Sequence, residues 1–299
     1  MIVQSVVDGI CTGAIISLGA IGLSLTLQIM RFANFAHAEF MTLGAYLAFA
    51  MVSLIGPGTP TAGLSFGWQM LVAAVLASMA AGLMAWMLDL MVFAPLRRNG
   101  AQSLVLVFAA FGSALVLRHV LVLIWGHDSY FYTRELQMGV TILPGVRILP
   151  DQLFILGLAV VLMLVLHLFL TFHRTGIAMR AMAEAPALAQ VCGIRISAVM
   201  RTTWIISGFM AAMAGVFSGL TPQLHPELGS NMLLSIFAAA IFGGVGSLPG
   251  AVLGGLLVGI SENLFLLVAS SGYKPAMPFL MLLVVLWLRP QGLLGEKSS

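Results

Sequence analysis

Apolar residues along this chain fall in unbroken runs, not in the three-and-four spacing of an amphipathic helix or the alternation of a half-buried strand. The runs cover roughly 9–30, 36–55, 68–93, 101–124, 151–172, 198–220, 232–244, 250–270 and 275–289. A helix needs about 20 apolar residues to cross a hydrocarbon core of ~30 Å, because each residue advances it only about 1.5 Å. Most of the runs meet that length. The run at 232–244 does not, and Gly243-Gly-Val-Gly-Ser-Leu-Pro-Gly250 follows it, so it is expected to be a half-helix within the membrane. The predicted fold class is an all-α polytopic membrane protein, a bundle of eight or nine transmembrane helices in a single domain over residues 1–299. The first run is too long for the apolar core of a secretory signal and has no basic segment ahead of it, so it is expected to be a retained span.

Composition narrows the class further. Of 299 residues, 61% are apolar and only 8% are charged, against about 25% charged in ordinary soluble domains. The 13 Lys+Arg and 10 Asp+Glu cannot wet the surface of a soluble protein of this size. A disordered chain would need low hydrophobicity, and a disulfide scaffold would need more cysteines than Cys11 and Cys192. A nucleic-acid binder would need a clustered basic face. The lipid bilayer is therefore the expected surrounding, with no nucleic-acid partner. His127 and Asp128 are adjacent polar residues in a loop, and no metal site is expected from them.

The basic residues give an orientation. If all nine runs cross, Arg31, Arg97, Arg98, Arg174, Arg180, Arg195, Arg201, Arg289 and Lys297 share one side, and Arg118, Arg134, Arg147 and Lys274 the other. The positive-inside rule makes the crowded side cytoplasmic, with the N-terminus outside and the C-terminus in the cytoplasm. The outer loop, 125–150, contains Tyr130, Tyr132, Arg134 and Glu135. Its Pro144-Gly145 between two β-prone stretches predicts a small hairpin.

Small residues recur every fourth position at Gly9, Gly13 and Ser17, at Gly246, Gly250 and Gly254, at Ala251, Gly255 and Gly259, and at Gly215 and Gly219. Such ladders let helix backbones approach closely where hydrocarbon supplies no hydrophobic push. The loop 173–197 is helix-prone: an Ala-rich stretch runs through Glu184, Pro186 stands at a first helical position, and Gly193 supplies a stop. Arg180 and Glu184 share a face at i, i+4, while Ile177 and Met179 are expected to offer apolar contact to another protein. The alternative is an amphipathic segment resting on the membrane surface. Neither lysine, Lys274 nor Lys297, follows the glycines of a phosphate-binding loop. Nucleotide-driven work would therefore fall to another chain.

Four ordered segments carry a family resemblance. They are Asn34-Phe-Ala-His-Ala-Glu-Phe40 with Leu43-Gly-Ala-Tyr46, then Arg174-Thr-Gly-Ile-Ala-Met-Arg-Ala-Met-Ala-Glu184 ending in Cys192-Gly-Ile, then Ala238 to Gly255, and Arg289-Pro-Gln-Gly-Leu-Leu-Gly295. Together they resemble the LivH-type permease subunits of branched-chain amino acid ABC transporters nearly end to end. The resemblance implies an importer in the cytoplasmic (inner) membrane, with a second LivM-like permease, two cytoplasmic ATPase subunits and a solute-binding protein as partners. It implies no cofactor in this chain, with ATP and Mg held by the ATPase subunits. It also implies that the 173–197 loop is the element seated on an ATPase, carried by Arg174, Gly176, Arg180, Ala183, Glu184 and Gly193. Two positions depart from the family pattern: Ala38, where a Gly is usual and whose methyl stiffens the helix entry, and Cys192.

Ionisable groups at membrane depth are costly and are default candidates for function. Asn34, His37 and Glu39 form one candidate group, either lining a substrate pathway or capping and stabilising a helix break. On a helix Asn34 and His37 would share a face while Glu39 points elsewhere. Gly243 and Gly244 offer either unwound backbone beside a pathway or close packing. Glu262 lies roughly 24 Å along a helix from Gly246, toward the outer leaflet, where it is expected to pair with Arg118 or reach the interface. Asp89 is expected to form an interfacial ion pair with Arg97, and Trp68 and Trp125 to mark span ends. Similar permeases also serve urea and short amides. A stand-alone secondary transporter would need an acidic ion site at mid-depth, and an intramembrane hydrolase would need more than Ser247 in Val-Gly-Ser-Leu.

Overall fold

A computed structural model describes residues 1–56, 58–60, 63–133, 139–143, 146–221, 223–289 and 291–294, without the side chains of 142, 143 and 271. The chain forms α1 (Ile2–Met30), α2 (Ala36–Ile55), α3 (Trp68–Leu88), a π-helical turn (Asp89–Phe93), α4 (Ala94–Arg98) and α5 (Ser103–Trp125). A hairpin of β1 (Val140–Leu143) and β2 (Val146–Ile148) follows, then α6 (Pro150–Phe172), α7 (Arg174–Glu184), α8 (Pro186–Val191), α9 (Ile196–Leu220), α10 (Leu228–Gly243), α11 (Leu248–Phe265) and α12 (Ala276–Leu288). Seven helical stretches are long and apolar enough to cross a membrane, and the shorter α10 and α12 complete the all-α bundle with 16 and 13 residues. The nine apolar runs of the sequence thus become nine helical stretches among the described residues.

The two ends of the bundle are distinguished by what meets there. Gln4 donates to the Arg147 carbonyl at 2.9 Å and accepts from the Arg147 N–H at 2.8 Å, so the start of α1 lies against the hairpin. At the other end the N–H groups of Leu293 and Leu294 donate to the carbonyls of Phe242 and Gly243, at 2.8 and 3.1 Å, beside the elbow formed by α7 and α8. The start of α1 and the segment at Leu293–Leu294 therefore lie at opposite ends, which requires an odd number of passes between them. The described basic residues of the crowded set lie toward the elbow end, and Arg147 and Lys274 toward the hairpin end. Lys297 and Arg134, Glu135 in the outer loop and the hairpin turn Pro144-Gly145 lie outside the described residues.

The helices are held by close backbone approach. Gly13 faces Gly259 and Ser17 faces Gly255, so that the ladder of α1 meets the ladder of α11 along most of its length. Ser17 Oγ–H points at both the Gly13 carbonyl (2.7 Å) and the Val252 carbonyl (3.0 Å), tying the two backbones together. Between α9 and α2, Gly215 rests directly on the Met41 carbonyl. At each contact a side chain would occupy the space that the neighbouring main chain fills.

Two helices start inside the bundle: α10, as the short run 232–244 predicts of a half-helix, and α2, which the pattern of apolar runs does not mark. Arg31 closes α1 in the left-handed conformation (φ 57°), and the chain turns back so that the His37 ring lies against Gly19 and Gly22. Met30 and Gly22 are eight residues apart, so α2 begins roughly 12 Å back up the α1 axis. After α9 the chain turns back in the same way, and Gly229 at the start of α10 rests on the Ala38 carbonyl and donates its N–H to Thr42 Oγ1 at 3.0 Å. The π-helical turn in the third stretch points Asp89 inward, where Arg97 donates to it at 2.6 Å. Phe93 is stacked between Phe32 and Trp204, with centroids 5.3 and 5.1 Å away. The Asp89–Arg97 pair expected from the sequence is present.

A methyl group or larger at Gly215 must push against the backbone of α2, whereas Gly112 and Gly157 have open space around them. Gly215→Val is expected to destabilise the bundle by about 1–3 kcal/mol, and Gly112→Ala and Gly157→Ala to have no such cost. Thermal unfolding of the three variants in detergent checks this.

Candidate functional site

The Asn34–Glu39 segment sits where α1, α2, α5 and α9 converge. Asn34 precedes α2 and caps it: its Oδ1 accepts from the Ala36 N–H at 3.2 Å and its carbonyl from the His37 N–H, also at 3.2 Å. His37 is buried, and both ring nitrogens are engaged, Nε2 with the Gly19 carbonyl at 2.9 Å and Nδ1 with Ser207 Oγ at 3.2 Å. One imidazole thus ties α2 to α1 and to α9. Glu39 points away from both, as the helical spacing predicts, and its Oε1 accepts from Nε and Nη2 of Arg118 on α5.

The Glu39–Arg118 pair is asymmetric. The Glu39 side chain is 2% exposed and that of Arg118 28%. Glu39 Oε2 and Asn34 Nδ2 are buried with no hydrogen-bond partner among the described residues. Phe35 stacks on Phe237 of α10 at 5.1 Å and meets Phe111 of α5 edge-on at 6.4 Å, which lines the same region with aromatic surface. A buried carboxylate with one oxygen held and one free, paired with a partly exposed guanidinium, can hydrogen-bond both a positive and a negative group.

Arg118 therefore meets Glu39, not Glu262. Glu262 accepts from Ser235 Oγ of α10 at 2.5 Å and lies 3.7 Å from Lys274 Nζ, toward the hairpin end. The expectation that it could pair with Arg118 fails because α10 and α12 flank α11, while α5 packs on α2. Gly243 closes α10 with its Cα against the Gly250 backbone, and Gly244 (φ 101°) turns the chain toward α11 beside Gly292. At the hairpin end Tyr46, Phe49, Trp125 and Tyr130 form an aromatic cluster with centroids 4.8–6.4 Å apart. Tyr132 O–H donates to the Ala45 carbonyl at 2.8 Å, and burial pushes that phenol well above its usual range. This cap over α2 was not foreseen: the tyrosines stood out in the sequence, but their target did not.

At the other end, α7 lies on the bundle through one face. Gly176, Met179 and Met182 are buried, and Gly176 rests on the Phe169 carbonyl and Leu170 with no room for a side chain. Met179 therefore faces the protein's own core and not another chain, because residues 177 and 179 are about 200° apart around a helix. Ile177, 48% exposed, keeps the outward role. Arg174, Arg180 and Glu184 are exposed and Ala183 is half-buried, with Arg180 Nη2 donating to the Thr171 carbonyl at 3.2 Å. After α8, Gly193 (φ 83°) ends the elbow in a turn in which Ile194 N–H returns to the Ala189 carbonyl at 3.0 Å. Between elbow and bundle lies a cavity of about 370 Å³ lined by Ser24, Gln28, His167, Arg180, Glu184 and Ser247 among others.

Comparison with known proteins follows this geometry. The family model described as "Branched-chain amino acid transport system / permease component" matches residues 5–286. The chain is 29% identical over 299 residues to the high-affinity branched-chain amino acid transport system permease protein LivH of Escherichia coli, covering 98% of this chain and 95% of that one. It is 31% identical over 301 residues to the corresponding protein BraD of Pseudomonas aeruginosa, with the same coverage. It is also 30% identical to a probable branched-chain amino acid transport permease protein LivH of Methanocaldococcus jannaschii, over 92% and 87% of the two chains. Among solved structures, PsaBC from Streptococcus pneumoniae in complex with Fab shares the fold with a TM-score of 0.52 at 14% identity, over 97% of this chain and 93% of that one.

Removing the guanidinium leaves Glu39 buried without its partner. Arg118→Gln is expected to destabilise the protein by about 3 kcal/mol, the low end for a broken buried pair because Arg118 is partly exposed. The double change Glu39→Gln, Arg118→Gln is expected to recover most of that loss. A double-mutant cycle on thermal stability reads the coupling directly.

Proposed function

We propose, from the premise that this chain belongs to the family of branched-chain amino acid transport permease components, that it is the membrane-spanning subunit of an ATP-binding-cassette importer for branched-chain amino acids. In this reading it works with a second, LivM-like permease, two cytoplasmic ATPase subunits that hold ATP and Mg, and a solute-binding protein on the outer face. It resides in the cytoplasmic membrane with the elbow end and the C-terminus inside, an orientation that the clustering of arginines supports.

The observation that carries this reading is the two-faced elbow. Gly176, Met179 and Met182 hold α7 to the bundle, while Arg174, Ile177, Arg180, Glu184, Leu188 and Val191 stay exposed on α7 and α8. A segment held on one side and bare on the other transmits a push from a partner into α6, α9 and α1, the elements it touches. An amphipathic segment lying on lipid would turn its methionines outward; here Met179 and Met182 of α7 are consumed internally. The elbow, with Gly193 as its stop, thus serves as the contact to an ATPase.

Inside the bundle the Glu39–Arg118 pair, with Asn34, supplies the polar part of the substrate path. A zwitterion has one charge for each partner, and the spare oxygen of Glu39 and amide of Asn34 replace part of its hydration. His37 holds this group in place between α1 and α9. Gly243 and Gly244 close the elbow end by tight packing, and Glu262 with Lys274 stands near the outer mouth. Alternation between outward- and inward-open states requires that these groups bind substrate unequally in the two.

Purification of the chain with the proteins encoded by its genomic neighbours is expected to recover an ATPase subunit. Glu184→Arg and Arg180→Glu are each expected to reduce that recovery roughly tenfold, about 1.4 kcal/mol of contact, without loss of thermal stability. Proton-driven uptake by this chain alone in liposomes would overturn the reading. A binding assay on the cognate solute-binding protein against leucine, urea and short amides is expected to favour leucine.

A further inference from the structure

A second cleft, of about 230 Å³, opens at the elbow end between α3 and the start of α9, away from the cavity under α7. It is lined by Trp86, Leu90, Arg195, Ser197, Ala198 and Arg201. Arg195 and Arg201 are exposed, and neither meets a carboxylate among the described residues, whose ion pairs are Asp89–Arg97, Glu39–Arg118 and Glu262–Lys274. The acid nearest in sequence to the cleft wall, Asp89, is already taken by Arg97. The Arg201 guanidinium carbon stands 5.8 Å from the centre of the Trp86 ring, which holds this side chain across the cleft.

The placement is that of a membrane boundary. The stretch Trp68–Arg98 has 31 residues, about 46 Å at the usual rise and some 16 Å more than the hydrocarbon core. Arg98 lies twelve residues, or roughly 18 Å, beyond Trp86. An overhang at the elbow end therefore leaves Trp86 near the edge of the hydrocarbon, where tryptophan is favoured. Toward the hairpin end of the same helix, Leu83, Met79 and Leu76 are exposed and apolar, three, seven and ten residues before Trp86 and so on its face. The first turn of α9 adds main-chain N–H groups that a helix leaves without internal partners.

We propose that this cleft binds the headgroup phosphate of an anionic phospholipid, gripped by Arg195 and Arg201 beside Ser197, with its acyl chains along Leu83, Met79 and Leu76. Two forked guanidinium groups suit a phosphate better than a dispersed basic surface does. The apolar wall below them favours a lipid over a soluble anion. Arg195 joins the elbow to α9, so a bound headgroup steadies the end of the elbow from the bilayer side.

The test uses the full-length chain in nanodiscs of phosphatidylcholine with a minor fraction of phosphatidylglycerol, followed by native mass spectrometry of the lipid retained. Wild type is expected to prefer phosphatidylglycerol roughly thirtyfold, as two juxtamembrane arginines imply. The change Arg195→Gln, Arg201→Gln is expected to abolish the preference, and the charge-matched Arg31→Gln, Arg98→Gln to keep it. Equal loss in both pairs would overturn the proposal in favour of diffuse attraction. Retention in the first pair would overturn it outright. Phosphatidylglycerol displaced by millimolar inorganic phosphate, or by an acidic segment of a partner protein, would assign the cleft to those ligands instead. If the glutamine pair fails to fold, Arg195→Lys, Arg201→Lys keeps the charge but not the forks and is expected to lose about tenfold; unchanged preference there would refute the forked contact.

Discussion

In hydrocarbon a main-chain polar group finds no water and an apolar side chain gains nothing by touching another apolar side chain in place of lipid. What remains is contact area, and the helices of this protein obtain it by bringing backbones together. The seam between α1 and α11 is the extreme case: Gly13 on Gly259 and Ser17 on Gly255 leave no space for side chains between them. Other features depend on that seam. It positions Gly19 and Gly22, on which the His37 ring lies. It also sets the turn of residues 244–247, where the Gly246 N–H donates to Ser24 Oγ at 3.0 Å.

The same scarcity of water governs the charges. Each of the three ion pairs puts a carboxylate that is 5% exposed or less against a cation that retains more exposure, 22%, 28% and 38% for Arg97, Arg118 and Lys274. The buried member cannot remain charged alone, so each pair also fixes which helices are neighbours: α2 with α5, α11 with the segment before α12, and the π-helical turn with α4. Two helices that begin inside the bundle, α2 and α10, bring polar main chain and side chains to its interior. This is tolerated because Asn34, Thr42 and the Asn34 carbonyl accept the exposed N–H groups. The polar group around Glu39 is thus a consequence of how the chain re-enters.

Much of this was legible in the sequence. Run lengths predicted the helices within a few residues, because a span must match the bilayer whatever surrounds it. The largest departure is α1, which starts seven residues ahead of its apolar run since Gln4 and Asp8 satisfy each other at 3.0 Å and Gln4 also holds Arg147. The four-residue ladders marked close helix contacts, the Pro186 and Gly193 signals marked the elbow, and Pro-Gly marked a hairpin whose strands pair as expected. The direction of Met179 on the elbow was missed because a short helix with apolar residues at 177, 179 and 182 does not declare which of them the bundle will claim.

The sequence by itself determined the class, the length of the helical stretches and their number to within one, and which positions can bear close packing; each follows from local composition and the thickness of a bilayer. Tertiary structure alone decided which ladder meets which, that α2 begins inside the bundle, and that Arg118 belongs to Glu39 and Lys274 to Glu262. The reason is that an ion pair or a backbone contact between residues 79 positions apart leaves no mark in the residues near either partner, and any of several cations could have satisfied either acid until the packing of α5 against α2 and of α12 beside α11 removed the choice.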